Sequence, residues 1–182
     1  VRQDPDIVMV GEIRDHETAE IAIESALTGH LVFSTLHTND AAGAVTRLQD
    51  MGVEGYLISS SLLAIQAQRL VRRVCTDCAE EVPITTDELA VLQIEQKECP
   101  TLKRGLGCEA CGQTGYRGRV GLYELLMMSD AIRHHIASGA DAKIIRDEAI
   151  KAGMRTLRQD ALEKLKAGIT TPEEVVRVTR AL

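Results

Sequence analysis

Apolar and polar positions alternate along this chain in blocks that change period several times. Residues 7–10, Ile-Val-Met-Val, form a short apolar run after Asp4-Pro5-Asp6. A run of that length, bounded by turn residues, predicts a fully buried strand. Asp15 then stands as an N-cap, with Glu17 in the first turn of a helix. Ala19, Ala22, Ile23, Ala26 and Leu27 follow at helical spacing, and Gly29 ends the helix. Leu31, Val32 and Phe33 open a second apolar strand that ends in Ser34-Thr35-Leu36-His37-Thr38-Asn39. Asn39 or Asp40 caps a further helix, with Ala41, Ala44, Val45 and Leu48 on one face. Strand–helix–strand–helix order predicts an α/β layer with a parallel sheet.

Near residue 75 the pattern breaks. Residues 75–121 are rich in Gly, Cys and charge, and only 86–95 has a helical period. This stretch reads as a small inserted module whose internal loop, 79–107, must fold on its own. From Ser129 helical patterns return at 130–138, 141–152, 156–167 and 172–180. Thr171 caps the last of these, Pro172 takes its first position, and Glu174 is placed to close a capping box. Gly168 ends the helix before it. The expected division is therefore 1–74, 75–121 and 122–182.

Composition narrows the classes. Of 182 residues, 45% are hydrophobic but only 2% aromatic, so the core must be aliphatic. A net charge of -6 argues against nucleic acid as a partner, which calls for a clustered basic footprint. The local run Arg69, Arg72, Arg73 reads as a solvated face. No apolar stretch approaches the roughly 18 residues of a membrane span, and no signal peptide is visible. The chain opens with Val-Arg-Gln-Asp-Pro just ahead of a strand, so it reads as the interior of a longer protein.

Five cysteines are too few for a disulfide scaffold, and four of them are paired by spacing. Cys75-Thr-Asp-Cys78 and Cys108-Glu-Ala-Cys111 are two C-x-x-C knuckles. A two-residue spacer lets both thiolates reach one ion at about 2.3 Å. Gly112 permits the tight turn after the second knuckle. Four thiolates favour zinc in a closed, structural site. Redox dithiols, disulfides and an iron–sulfur cluster are the alternatives. Cys99 stands alone beside Pro100 and reads as incidental.

Two strand ends carry candidate chemistry. Glu12 follows Gly11 directly after the first strand, where open α/β sheets bind ligands. An acid there can hold a Mg²⁺ shell or orient an attacking water. A solvated glutamate in a turn is the plainer alternative. His37 ends the second strand among Ser34, Thr35, Thr38 and Asn39, and could contact phosphate oxygens or simply hold local structure.

These residues carry a resemblance. Arg2-Gln3-Asp4-Pro5-Asp6-Ile7-Val8-Met9-Val10-Gly11-Glu12-Ile13-Arg14-Asp15 resembles the Walker B segment of the secretion ATPase superfamily. Thr28-Gly29-His30 through Thr38-Asn39 resembles its histidine box. Gln68-Arg69-Leu70-Val71-Arg72 and the paired cysteines resemble its zinc subdomain, and Gly115-Tyr116-Arg117-Gly118-Arg119-Val120-Gly121-Leu122-Tyr123-Glu124 the segment that leaves it. Ala131-Ile132-Arg133 and Gly153-Met154-Arg155-Thr156-Leu157-Arg158 extend the match into the tail. Gly43 through Leu48 and Ala167 through Val175 are most similar to the type II secretion ATPases of the general secretion pathway protein E family. Type IV pilus assembly ATPases share the four cysteines and are the sister reading. Pilus retraction ATPases generally lack them.

The resemblance implies the C-terminal half of a RecA-like P-loop ATPase domain, with an inserted zinc subdomain and a helical tail. It implies ATP and Mg²⁺ as ligands and a homo-oligomer, usually a hexamer. The implied place is the cytoplasmic face of the bacterial inner membrane, peripheral and attached through platform proteins. Glu12 would be the Walker B acid, His37 the histidine on the γ-phosphate side, and His30 its partner. Cys75, Cys78, Cys108 and Cys111 would be the zinc ligands. No Gly-x-x-x-x-Gly-Lys-Ser/Thr stretch occurs in these residues, so the phosphate cradle is expected upstream, as are the aspartate box, arginine fingers and platform-binding domain. His16 stands where the family usually has an apolar residue. By itself, the segment is expected to behave as a non-catalytic zinc-containing interaction module.

Overall fold

Strands β1 (Ile7–Val10) and β2 (Leu31–Ser34) pair in parallel, with Ile7 opposite Leu31 and Val10 opposite Ser34. They belong to a computed structural model that describes residues 5–179. Arg2, Gln3 and Asp4 of the first motif lie outside the described residues, as does position 180 of the last expected helix. Between the strands runs α1 (His16–Leu27). Asp15 caps it by accepting the Thr18 N–H at 2.9 Å. Gly29, at φ 103°, takes the left-handed turn that releases the chain into β2. The strands are not fully buried as expected. Ile7, Met9, Leu31 and Phe33 are exposed and the valines half-buried, because α1 lies on β2 and the described residues supply no second covering layer.

Two compact units divide the chain: residues 1–67 with 125–154, and residues 68–124 with 155–182. The helical tail expected over 122–182 is thus shared between them. In the first unit α2 (Ala41–Asp50), α3 (Gly55–Ser61), α5 (Asp130–Ala137) and α6 (Ala142–Lys151) complete the core. Ala41, Ala44, Val45 and Leu48 of α2 are buried, as the helical period predicted. They meet the α6 helix, whose own buried residues are Ile145 and Ala149. Helix α5 packs on α3 so closely that a Cβ at Gly55 would collide with the Ile136 carbonyl. That contact makes Gly55 obligatory by approach rather than by φ.

The second unit holds most of what periodicity missed. Strands β3 (Ala64–Val74) and β6 (Tyr116–Met127) pair in a two-stranded ribbon; each begins in one unit and ends in the other. β3 was illegible because Ala67, Val71 and Val74, its buried residues, are spaced four and three apart, a helical interval. Strands β4 (Ala79–Pro83) and β5 (Thr101–Gly105) pair antiparallel within the segment expected to be a loop. The α4 helix (Thr86–Leu92) and a 3₁₀ turn at Gln96–Glu98 connect them. Helix α4 ends three residues short of its predicted limit, at a left-handed Gln93. Helices α7 (Leu157–Lys166) and α8 (Pro172–Thr179) finish the unit.

Glu174 does not close a capping box. It is fully buried and accepts the Arg72 backbone N–H at 2.7 Å, the Arg72 guanidinium at 3.0 Å and the Arg177 guanidinium at 2.7 Å. The Thr171 carbonyl takes the Val175 N–H in the first turn, while its hydroxyl pairs with the Tyr116 hydroxyl at 2.8 Å. The Arg72 guanidinium also lies 4.0 Å from the centre of the Tyr116 ring. One strand, one helix and one ring are therefore joined around a single carboxylate.

Burial pushes the Glu174 carboxyl up, but the bonds from Arg177 and Arg72 outweigh it and hold the group down at about 2. The folded value lies below the unfolded one, so the stabilisation is complete above about pH 4.3 and fades as pH falls toward 2. Replacing Glu174 by Gln should cost about 2 kcal/mol at neutral pH, allowing for the half-exposed arginines. Denaturant unfolding across pH 2–7 is the measurement. A variant whose stability still falls between pH 5 and 3 as steeply as the parent's would show that Glu174 is not the titrating group.

Candidate functional site

Level pairing of β1 and β2 brings two of the candidate residues together. The strands end at Val10 and Ser34, and the register continues into the turns: the Ile13 N–H reaches the Thr35 carbonyl at 3.0 Å, and the Thr35 hydroxyl donates to the Gly11 carbonyl at 2.7 Å. Glu12 and His37 therefore leave neighbouring strand ends, and His37 Nε2 stands 2.9 Å from Glu12 Oε1. The Arg14 guanidinium lies 2.5 Å from the other oxygen, Oε2. Arg14 drew no role from the sequence, although Glu-Ile-Arg at a strand end was the available signal.

The Arg14 hydrogen bond, with its charge and that of His37, holds the Glu12 carboxyl below the usual range despite some burial. Glu12 is thus a carboxylate at neutral pH, able to accept a proton or bind a cation. The His37 side chain is 87% exposed. Its Nε2 is oriented by the contact with Glu12.

His30 is held elsewhere. It precedes β2, at the amino end of the strand, whereas Glu12 and His37 stand at the carboxyl ends. Its Nδ1 lies 2.9 Å from the Ser25 carbonyl and 3.2 Å from the Thr28 hydroxyl. It belongs to the turn that ends α1, so the structure does not join it to His37.

In the second unit the four paired cysteines converge: their sulfurs all lie within 4.8 Å of one another. Cys75 and Cys108 are 3.9 Å apart, Cys78 and Cys111 3.9 Å, and Cys108 and Cys111 3.7 Å. All four are free thiols, so no disulfide competes. Cys75 directly follows β3 and opens the turn, and Cys78 leads into β4. The other knuckle sits on the 3₁₀ turn Glu109–Cys111, which closes at a left-handed Gly112, φ 58°. A Cβ at Gly105 or at Gly115 would collide with the other's backbone, so only glycines allow the second knuckle to approach β5 this closely. The Gly115 carbonyl also accepts the Cys75 N–H at 2.9 Å.

Backbone donors surround the sulfurs. The N–H groups of Gly107, Cys108 and Gly115 point at Cys78, Cys111 and Cys111, at 3.2–3.3 Å. Burial opposes ionisation of Cys111, yet these donors bring it down to about 6, while burial pushes the neighbouring Cys78 up to about 12. The backbone donors thus favour negative charge on Cys111. Cys99 lies apart. It is buried, its thiol donates to the Thr101 carbonyl at 3.3 Å, and burial raises its pKa.

The family model described as Type II/IV secretion system protein matches residues 1–177. The chain is 55% identical to the type IV pilus assembly ATPase PilB of Thermus thermophilus, over 98% of its own length and 20% of PilB. It is 52% identical to the type II secretion system ATPase E of Vibrio cholerae, over 99% of its length and 36% of that protein. The chain thus spans between a fifth and somewhat over a third of these relatives. Its fold matches the pilus retraction motor PilT with bound ADP at a TM-score of 0.66 and 27% identity, covering 42% of that chain. The Yersinia pseudotuberculosis ATPase DotB matches in fold at a TM-score of 0.68, and the α/β class expected from sequence stands. With a family model matched across nearly its whole length and relatives more than half identical, the chain belongs to the Type II/IV secretion system protein family.

Proposed function

We propose that these residues are the Walker B and histidine-box half of an ATP-hydrolysing motor subunit that powers type II protein secretion. The observation that carries the reading is the Glu12–His37 pair, 2.9 Å apart at the carboxyl ends of two parallel strands. That is where open α/β sheets place ligand chemistry. The 52% identity to a type II secretion ATPase supports the system. Assembly of type IV pili is the second reading, favoured by the 55% identity to PilB. In either case the working form is a homo-oligomer, a hexamer by family resemblance, on inner-membrane platform proteins at the cytoplasmic face. Among the described residues no helix is long and apolar enough to cross a membrane.

Bound Mg-ATP supplies the transferable phosphoryl group. Glu12, kept ionised by Arg14, accepts a hydrogen bond from the attacking or Mg²⁺-bound water and aligns it. His37, held against Glu12 and exposed, would be available to contact the terminal phosphate. The glycine-rich loop and its Lys, which provide most phosphate affinity, come from a part of the protein outside these residues.

The tetracysteine segment, 75–121, is the zinc-binding part. A zinc ion about 2.3 Å from four tetrahedral sulfurs sets them about 3.8 Å apart, which the 3.7 and 3.9 Å separations match. All four positions are filled by protein, leaving no open place for catalysis. The backbone donors orient the thiolates as outer-shell groups do at metal sites. Cys75, Cys78, Cys108 and Cys111 would hold the ion, whose part would be structural, offsetting repulsion among the four thiolates between β3 and the β4–β5 hairpin.

Elemental analysis should find one zinc per chain. Cys108→Ser should lose the metal and Cys99→Ser keep it; the reverse result would sink the assignment. Chelation should loosen residues 75–111 first, visible as faster amide exchange.

In the full-length enzyme Glu12→Gln should cut hydrolysis by at least about a hundredfold while ATP affinity changes little, because the substitution keeps shape and removes the charge. Equal losses of binding and turnover would indicate a folding role instead. Residues 1–182 alone should neither hydrolyse ATP nor bind it measurably at millimolar concentration. Titration calorimetry with Mg-ATP tests this, and saturable binding at one site per chain would contradict it.

A further inference from the structure

We propose that Arg146 is a positioning residue for hydrolysis, acting at a distance by holding the segment that presents His37. The proposal rests on the reading of Glu12 and His37 as the hydrolytic pair. Residues 35–40 form a short span between β2 and α2, and His37 sits in its middle. Its ring is 87% exposed, so side-chain packing contributes little to its placement. Beyond its 2.9 Å contact with Glu12, the placement of the ring depends on how the backbone of the span is held, its two ends included.

The first end is anchored locally. Thr35 is bonded through its carbonyl to Ile13 and through its hydroxyl to Gly11. The second end is anchored at Asp40, the one buried acid among the described residues of the first unit, at 8% exposure. Both of its oxygens are committed. Oδ1 accepts the Gly43 N–H at 2.7 Å and so caps α2. Oδ2 meets the guanidinium of Arg146, in the middle of α6. The Thr38 hydroxyl donates to the Asp40 carbonyl at 3.0 Å, carrying the anchor to the residue after His37. A Cβ at Gly43 would come within 2.9 Å of Asp40 Oδ1, so the glycine leaves room for this geometry.

The pair differs from an ordinary surface salt bridge. Exposed pairs contribute little, but a buried carboxylate that loses its cation must move toward water or take up a proton. For Asp40 either response shifts the end of the His37 span. A displacement of about 1 Å at such a distance can cost up to a hundredfold in rate. Ile145 and Ala149 seat α6 against α2, which fixes the base from which Arg146 reaches. A helix of the C-terminal segment thereby sets the position of a residue at the carboxyl edge of the sheet, within one unit.

Steady-state hydrolysis by the full-length enzyme tests this, with thermal melting measured on each variant. Arg146→Ala should lower kcat by roughly tenfold and leave KM for ATP within about twofold, and Arg146→Lys should recover most of the loss. In a His37→Ala background the same change should cost less than about twofold more, because its effect passes through His37. Asp40→Asn retains the helix cap and removes the charge pairing; it should match Arg146→Ala and add nothing to it. Wild-type turnover in Arg146→Ala and Asp40→Asn would overturn the proposal. So would a loss that multiplies in full onto His37→Ala, or one that tracks melting temperature across the series. Continued hydrolysis by Glu12→Gln would instead remove the underlying reading of the site.

Discussion

Parallel pairing of β1 with β2, level from Ile7–Leu31 to Val10–Ser34, is the constraint on which the first unit depends. A parallel pair points both carboxyl ends the same way, and equal strand lengths bring those ends to one line. Glu12 and His37 meet because of that alignment, not because of any attraction strong enough to create it. A slip of one residue would carry each side chain to the other face. The bonds from Ile13 to Thr35 and from Thr35 to Gly11 extend the register beyond the last strand residues. They keep the two turns that carry Glu12 and His37 from diverging.

The second unit answers to a different constraint, the close approach of backbone to backbone. Gly105 and Gly115 can lie against each other only without side chains, and their contact brings the two knuckles to one place. The Gly115 carbonyl then serves Cys75 while its N–H serves Cys111. Farther along β3, Arg72 reaches Glu174 and Tyr116, and Val74 donates to the Ile169 carbonyl. The cysteine cluster is therefore flanked by a polar network that holds α8 to the same strand. Loss of order at the sulfurs would be felt at the base of α8.

The two units spend charge differently. At the strand ends, Glu12 is exposed enough to meet a ligand, and Arg14 keeps it ionised without enclosing it. Glu174 is enclosed completely and so pairs with two arginines. Glu124 is buried as well, on the inward face of β6, and accepts the Leu157 N–H at the start of α7. A carboxylate at a helix N-terminus meets unpaired N–H groups and the positive end of the helix dipole. Burial in these cases marks a structural acid, and partial exposure the acid available for chemistry.

Local signals determined much of this protein from sequence alone. Asp15, Asp40 and Ser129 cap helices because their side chains reach a backbone N–H within three residues, with no help from the rest of the fold. Paired C-x-x-C spacing named all four clustered thiols and left Cys99 out for the same short-range reason. Glu12 and His37 were legible because each directly follows a strand. The long-range facts were not. β3 hid because its buried residues fall at a helical interval, and β4 and β5 hid because a strand in a small hairpin needs little periodicity. Arg146 meets Asp40, and Glu174 abandons its expected cap for Arg72, across spans that no window of sequence covers. Which cation neutralises a buried carboxylate depends on what the folded chain places within reach. Only the tertiary structure decides that.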